Sequence, residues 1–313
     1  MEKLDVIALG GNAILPAGSG GTITEQFSIT QRTMDQIADL IESGRNVVLT
    51  HGNGPIVGNI VVRNEAAKDI IPPMPLDVCG ADSQGGIGYM IQQTLRNILE
   101  RRNVRREVVS LITQVLVSAD DQAFKKPVKP IGPFYSKEEA IELEREKDWS
   151  VVDDGVKGYR RVVPSPRPLE IIELPVVQKL IEAGMIVITV GGGGIPVIRK
   201  KNRLLGTEAV IDKDLASSVL ARDLRAERLL ILTDVDAVYK GYGTPNAQPL
   251  RDISVDEAAG LLQDGEFPPG SMGSKIEAAV EFLRSGGKTV LICRSGDLSA
   301  ALEGEKGTRI AGT

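Results

Sequence analysis

The sequence has little histidine, cysteine or aromatic content. One histidine, His51, in 313 residues excludes zinc sites built from several imidazoles and any mechanism that needs two of them. Cys79 and Cys293 show no CxxC pattern and suit a reducing compartment, the cytoplasm. Phe, Trp and Tyr make up 4% of the chain. The basic run Arg96, Arg101, Arg102, Arg105, Arg106 has no interleaved aromatics and reads as a solvated helix end, not a nucleic-acid platform. A net charge of −5 leaves no footprint for nucleic acid or an anionic membrane. Long hydrophobic runs are missing too. The longest mostly apolar stretch, residues 186–198, is too short to span a bilayer and is broken by four glycines and Pro196. The short apolar run after Met1 is no signal peptide.

Glycine, by contrast, is plentiful: 34 residues, where average usage would give about 22. Many follow short β-branched runs. Residues 6–9 lead into Gly10-Gly11-Asn12, residues 46–49 into Thr50-His51-Gly52-Asn53-Gly54-Pro55, and residues 186–190 into Gly191-Gly192-Gly193-Gly194. Residues 229–232 and 289–292 end in Thr233-Asp234-Val235-Asp236 and Cys293-Arg294-Ser295-Gly296. Runs so short and uniformly apolar read as buried parallel strands. Amphipathic helices lie between them. Met34, Ile37, Ala38 and Ile41 share a face that ends at Gly44; Ile87, Ile91, Leu95 and Ile98 share another, opened by Asp82 or Ser83. Pro175 sits at a helix start that stops at Gly184, and further helices follow Asp212-Lys213-Asp214 and Ser271, the latter ending at Gly286. Strands alternating with helices predict an α/β fold around a mainly parallel sheet. Residues 120–168, polar and marked by prolines, break the rhythm and read as an insertion shaped like a small lid, with a helix near 136–147 and a turn at Asp153-Asp154-Gly155.

Open α/β sheets bind ligands at the carboxyl ends of their strands, where these glycines cluster. Glycine there lets backbone N–H groups approach an anion, so the clusters at 10–12, 52–54 and 191–194 read as one phosphate-handling floor. No GxxxxGK[ST] motif is present: Gly287-Lys288-Thr289 imitates its end, but Phe282 occupies the first glycine position. Gly52-x-Gly54-x-x-x-Gly58 approximates a dinucleotide fingerprint, spoiled by Pro55. Lys213, Lys275 and Lys129 stand beside helix starts or rigid prolines, where an ammonium can offset the charge of a phosphoryl group in flight. Asp214 could orient a lysine or hold Mg²⁺ through water. His51 reads as a structural hydrogen-bonding residue of its turn.

Six segments together resemble the carbamate kinases of the amino acid kinase family. They are residues 6–13, Thr50-His51-Gly52-Asn53-Gly54-Pro55, Pro75-Leu76-Asp77-Val78-Cys79-Gly80-Ala81, Lys129-Pro130-Ile131-Gly132-Pro133, residues 211–216 and Gly270-Ser271-Met272. The resemblance spans essentially the whole chain and implies a three-layer αβα sandwich with a small protruding subdomain at 120–168. It implies reversible phosphoryl transfer, ATP + carbamate giving ADP + carbamoyl phosphate, with Mg²⁺ held mainly by nucleotide phosphates and water and no dedicated metal ligands, and a homodimer. By motif, Gly10, Gly11 and Asn12 line the transferred phosphoryl group and Gly52, Asn53 and Gly54 the carbamate side. Lys213 and Lys275 stabilise transferring charge, Asp214 organises them, and Lys129 reaches in from the subdomain. Thr233, Asp234, Val235, Tyr239 and Met272 match the nucleotide segment. Residues 1–207 are thus expected to carry the carbamate and phosphoryl sites and 208–313 the nucleotide. Two departures stand out: Ser274 where the family often has proline, and Asp82 where it often has an apolar residue. Carbamate arrives as an anion, so its attack needs no general base, which fits a chain poor in histidine. A kinase of another carboxylate, and a nucleotide-binding regulator without turnover, are the alternatives.

Overall fold

The computed structural model describes residues 3–15, 21–147, 149–153, 155, 158–268 and 270–312, with the side chains of Asn12, Pro133 and Lys147 outside that description. The strands are β1 (Leu4–Leu9), β2 (Asn46–His51), β3 (Val108–Ser110), β4 (Gln114–Leu116), β5 (Lys129–Tyr135), β6 (Ser150–Asp153), β7 (Tyr159–Val163), β8 (Glu170–Ile171), β9 (Ile186–Ile188), β10 (Ile195–Lys200), β11 (Arg203–Gly206), β12 (Arg228–Thr233), β13 (Val238–Lys240), β14 (Gln248–Leu250), β15 (Asp252–Ser254), β16 (Thr289–Arg294) and β17 (Thr308–Ala311). The helices are α1 (Ile23–Glu42), α2 (Gly54–Ala67), α3 (Leu76–Arg101), α4 (Lys137–Lys147), α5 (Leu174–Glu182), α6 (Lys213–Asp223), α7 (Val255–Gln263), α8 (Met272–Arg284) and α9 (Leu298–Leu302).

An eight-stranded sheet runs in the order β15-β17-β16-β12-β1-β2-β9-β3. Six neighbouring strands, from β16 to β3, are parallel, and β17 turns antiparallel to β16. Alternation along the strands makes three layers. Leu4, Val6 and Ala8 of β1 pack with Val177, Val219, Leu220, Ile276 and Ala279 of α5, α6 and α8. Ile7 and Leu9 point the other way, onto Met34, Ile37, Ile87, Ile91 and Leu95 of α1 and α3. Both faces are covered, which is why these strands read as continuous apolar runs. The sandwich expected from the sequence is present.

The insertion forms its own sheet, β5-β7-β6, with α4 beside it. It is seated on α2: a Cβ on Gly58 would lie 2.9 Å from Gly132 Cα, so two backbones touch where side chains would hold them apart. In the turn expected at Asp153-Asp154-Gly155, Gly155 is left-handed and its N–H donates to Asp153 Oδ1 (2.8 Å), while Asp154 lies outside the described residues.

Two boundaries differ from the sequence reading. Helix α3 starts at Leu76, six residues before Asp82, with Pro75 as its N-cap residue and the Leu76 N–H donating to Glu208 Oε1 (3.1 Å). Four glycines in its first half (80, 85, 86 and 88) hid that half. Strand β9 stops at Ile188 because Val190 is left-handed, φ 52°. At the amino ends of the strands, Asp5 is fully buried between Arg45 and Arg228, which each bond both its oxygens at 2.5–2.8 Å. Among the described residues no helix is long and apolar enough to cross a membrane.

Candidate active site

Strand order converts separate motifs into one edge. β12, β1, β2 and β9 are neighbours, so Thr233, Gly10, Gly52 and residues 189–194 emerge side by side. Each exit is tied to the next strand: Gly10 N–H donates to Leu232 O (2.8 Å), Gly52 N–H to Leu9 O (2.9 Å) and Thr189 N–H to Leu49 O (2.9 Å). Two of these glycines are required by space. A Cβ on Gly10 would sit 2.8 Å from the Leu232 carbonyl oxygen, and one on Gly193 (φ 90°) 2.5 Å from the Ile211 carbonyl oxygen. Asn12 belongs to the short 3₁₀ turn after β1; its side chain is outside the described residues. Gly54 is the first residue of α2.

The lysines converge on this edge. Asp212 caps α6, its Oδ1 accepting the Asp214 N–H at 2.9 Å. Its other oxygen accepts Lys129 Nζ of β5 at 2.8 Å, so one carboxylate caps the helix and holds the subdomain. Asp214, buried at the same helix end, takes Lys213 Nζ on Oδ1 (2.5 Å) and Lys275 Nζ of α8 on Oδ2 (3.2 Å). Gly52 packs on the Lys213 stem and the Gly11 amide; a Cβ there would lie 3.3 Å from each. Lys129, Lys213, Asp214 and Lys275 therefore lie together with Gly10, Gly11 and Gly52.

Charge follows geometry. Burial acts to raise the Asp214 carboxyl, but the Lys213 and Lys275 ammoniums outweigh it and hold the group far below the usual carboxylate range. Burial pulls the Lys213 ammonium down against the attraction of Asp214, with Lys275 adding repulsion. Lys275 is also desolvated, yet Asp214 raises it overall. Two ammoniums sharing one carboxylate leave net positive charge at this edge, which suits an anion.

His51 adds none. Its Nδ1 donates to the Gly52 carbonyl (3.1 Å), and burial lowers its pKa to about 4, assisted by Lys213. Because the unfolded histidine titrates near 6.5, the unfolded state binds the extra proton first as pH falls. Stability is then expected to drop between pH 6.5 and 4, by about 3 kcal/mol from this residue. Denaturant titrations across that range should show a shallower fall in His51→Gln; an unchanged slope would remove His51 as the source.

Lys275 also opens onto a cavity of about 210 Å³ lined by Thr233, Asp234, Val235, Tyr239 and Met272, all five residues expected at the nucleotide. Tyr239 donates its hydroxyl proton to the Asp236 carboxylate at 3.1 Å. Tyr242, Phe267 and Pro268 complete the apolar wall. Sequence reasoning missed these three, because apolar residues in loops carry no periodic signal. It set Asp212 at a helix start but gave its carboxylate neither of its two partners, the Asp214 N–H and Lys129 Nζ. Among the described residues no group of three or more His, Cys, Asp or Glu side chains could hold a metal ion.

Comparison with known proteins gives concordant results. The model of the amino acid kinase family matches residues 3–294. A carbamate kinase of Pyrococcus horikoshii is 48% identical over 312 residues, 99% of each chain. One from Thermococcus kodakarensis is 47% identical over 311 residues, 98% of this chain and 99% of its own. The structure of carbamate kinase from Giardia lamblia bound to AMP-PNP superposes with a TM-score of 0.93 at 44% identity, covering 99% of both chains. The chain belongs to the amino acid kinase family, among its carbamate kinases.

Proposed function

We propose that this enzyme transfers a phosphoryl group reversibly between ATP and carbamate, with ADP and carbamoyl phosphate as the other pair, and works physiologically toward ATP. The observation that carries the reading is the Lys213–Asp214–Lys275 cluster, set between the glycine exits and the Thr233–Met272 cavity. In this reading Lys275, which borders the cavity, meets the phosphates of the nucleotide, and Lys213, under Gly52 and beside Gly11, meets the group in transfer. The Gly11 amide, with Gly10 beside it, lines that group, and residues 52–54 line the carbamate. The Asp214 carboxylate stays ionised and fixes both ammoniums, so they need not reorganise as charge develops. No proton has to leave the carbamate oxygen before it attacks phosphorus, which fits a site whose histidine is neutral and turned to its own backbone.

Mg²⁺ would ride on the nucleotide phosphates and water, offsetting their charge, with Asp214 as the chain's own oxygen donor through water; hard oxygen donors suit it. Direction follows from chemistry: carbamoyl phosphate is a mixed anhydride, and its transfer to ADP runs downhill. Residues 1–207 are assigned the carbamate and phosphoryl sites, 208–313 the nucleotide, and 120–168 the lid, through Lys129 on Asp212. A homodimer is supported by exposed Val78 and Tyr89 on α3 and Ile112 and Leu205 nearby. A cytoplasmic setting fits two buried free thiols, and the acidic charge argues against nucleic-acid or membrane partners. ADP and carbamoyl phosphate with Mg²⁺ should yield ATP. Absence of ATP above background, with nucleotide still bound, would favour a regulator without turnover; faster turnover of another acyl phosphate would favour a different carboxylate.

A further inference from the structure

Asn53 occupies the N-cap position of α2 but does not cap it; no helix N–H bonds its side chain. Its Nδ2 donates instead to Ser83 Oγ of α3 at 2.8 Å, and the Ser83 hydroxyl donates to the Gly80 carbonyl at 2.6 Å. A carbonyl has no proton to give, so the serine proton is committed there and Ser83 Oγ can only accept from Asn53. The atom facing it is therefore the NH₂, which fixes the amide's orientation by hydrogen-bond logic. The opposite atom, Oδ1, takes no hydrogen bond from any described residue, although Asn53 is only 7% exposed. The amide also lies flat on Gly192: a Cβ there would be 2.2 Å from Nδ2, 2.5 Å from Cγ and 2.9 Å from Oδ1. Its neighbour Gly52 touches Lys213 and Gly11, so this acceptor stands one residue from the proposed transfer groups.

We infer that Asn53 Oδ1 selects the substrate by its amino group, accepting an N–H of carbamate or of the carbamoyl group, and that Ser83 is the positioning residue that keeps this oxygen forward. The inference rests on the reaction proposed above. In carbamate the nitrogen lone pair is delocalised into the carboxyl group, so the amino group donates and does not accept. An asparagine with its amide reversed would set N–H against N–H. An acyl group with methyl in place of amino has nothing to give this oxygen and leaves it unpaired in a buried site, the arrangement that discriminates most sharply between analogues.

The test compares carbamoyl phosphate as phosphoryl donor to ADP with acetyl phosphate as its competitive inhibitor, since the two differ in the amino group alone. Ser83→Ala is expected to raise KM for carbamoyl phosphate about tenfold, with the Ki of acetyl phosphate within twofold of the unmodified enzyme. Asn53→Ala, measured the same way, covers the case in which the buried serine is needed for folding, and the same selective loss is expected. A general distortion of the site would move both constants by one factor; that result, or no change in either, overturns the inference while leaving the reaction intact. Failure of the unmodified enzyme to make ATP would overturn the reaction and this inference with it.

Discussion

Lys213→Ala is expected to lower kcat for ATP formation by at least about a hundredfold, the scale for losing one preorganised electrostatic contact. That factor corresponds to about 2.7 kcal/mol of transition-state stabilisation. Lys213 is buried beneath Gly52 with its ammonium on Asp214, and burial lowers its affinity for the proton. The fold therefore holds this charge at some cost to itself, which is common where function and stability compete. Lys275→Ala is expected to match the loss in kcat and to weaken nucleotide binding as well, because Lys275 also borders the Thr233–Met272 cavity. In each variant Asp214 keeps one ammonium partner, so circular dichroism should report an intact fold. A kcat within twofold of the unmodified enzyme would remove that lysine from the mechanism.

The second large effect lies at the other end of the sheet. Asp5→Ala is expected to destabilise the protein by about 3 kcal/mol or more, a large share of the 5–15 kcal/mol typical of a folded chain. Asp5 is fully buried and bonded twice by each of Arg45 and Arg228. Removing the carboxylate leaves Arg45 with Glu227 alone and leaves Arg228 without the partner that faces it across β1 and β12. Two desolvated guanidiniums then repel each other where strands β1, β2 and β12 begin. Glycine exits, lysine cluster and the Thr233–Met272 cavity all lie at the carboxyl ends, so kcat at 25 °C should stay within twofold while the denaturation midpoint falls. A loss below 1 kcal/mol would show that water reaches and satisfies both arginines.

Much of the scaffold was legible because burial on both faces leaves a plain mark. Five parallel strands appeared as apolar runs, and Gly44, Gly184 and Gly286 punctuated the helices they follow. Asp212, Pro175 and Ser271 marked helix starts: Asp212 caps α6 and Pro175 has no N–H to leave unpaired in the first turn of α5, while Ser271 precedes α8 without a side-chain cap. Helix α3 was half legible: its apolar periodicity showed from Ile87, but glycines masked the turn beginning at Leu76. The second sheet, β11-β10-β4-β8, carried no comparable signal, because its short strands at 114–116 and 170–171 are too brief for a period to register.

The candidate site divides in the same way. Local chemistry nominated the glycine exits, Lys129, Lys213, Asp214 and Lys275, since three glycine clusters follow strands and the lysines stand beside glycine turns, helix starts or prolines. Their assembly depended on the strand order β12-β1-β2-β9, which sets residue 233 beside 10, 10 beside 52, and 52 beside 191. So did three pairings: Lys275 with an aspartate 61 positions away, Lys129 with one 83 positions away, and Asn53 with Ser83. By itself the sequence determined which segments could be buried strands, where helices could start and which side chains could meet an anion, because those depend on neighbours along the chain. Tertiary structure alone decided which lysine shares which carboxylate and which way the Asn53 amide points, because a side chain's partner is set by packing between elements distant in sequence.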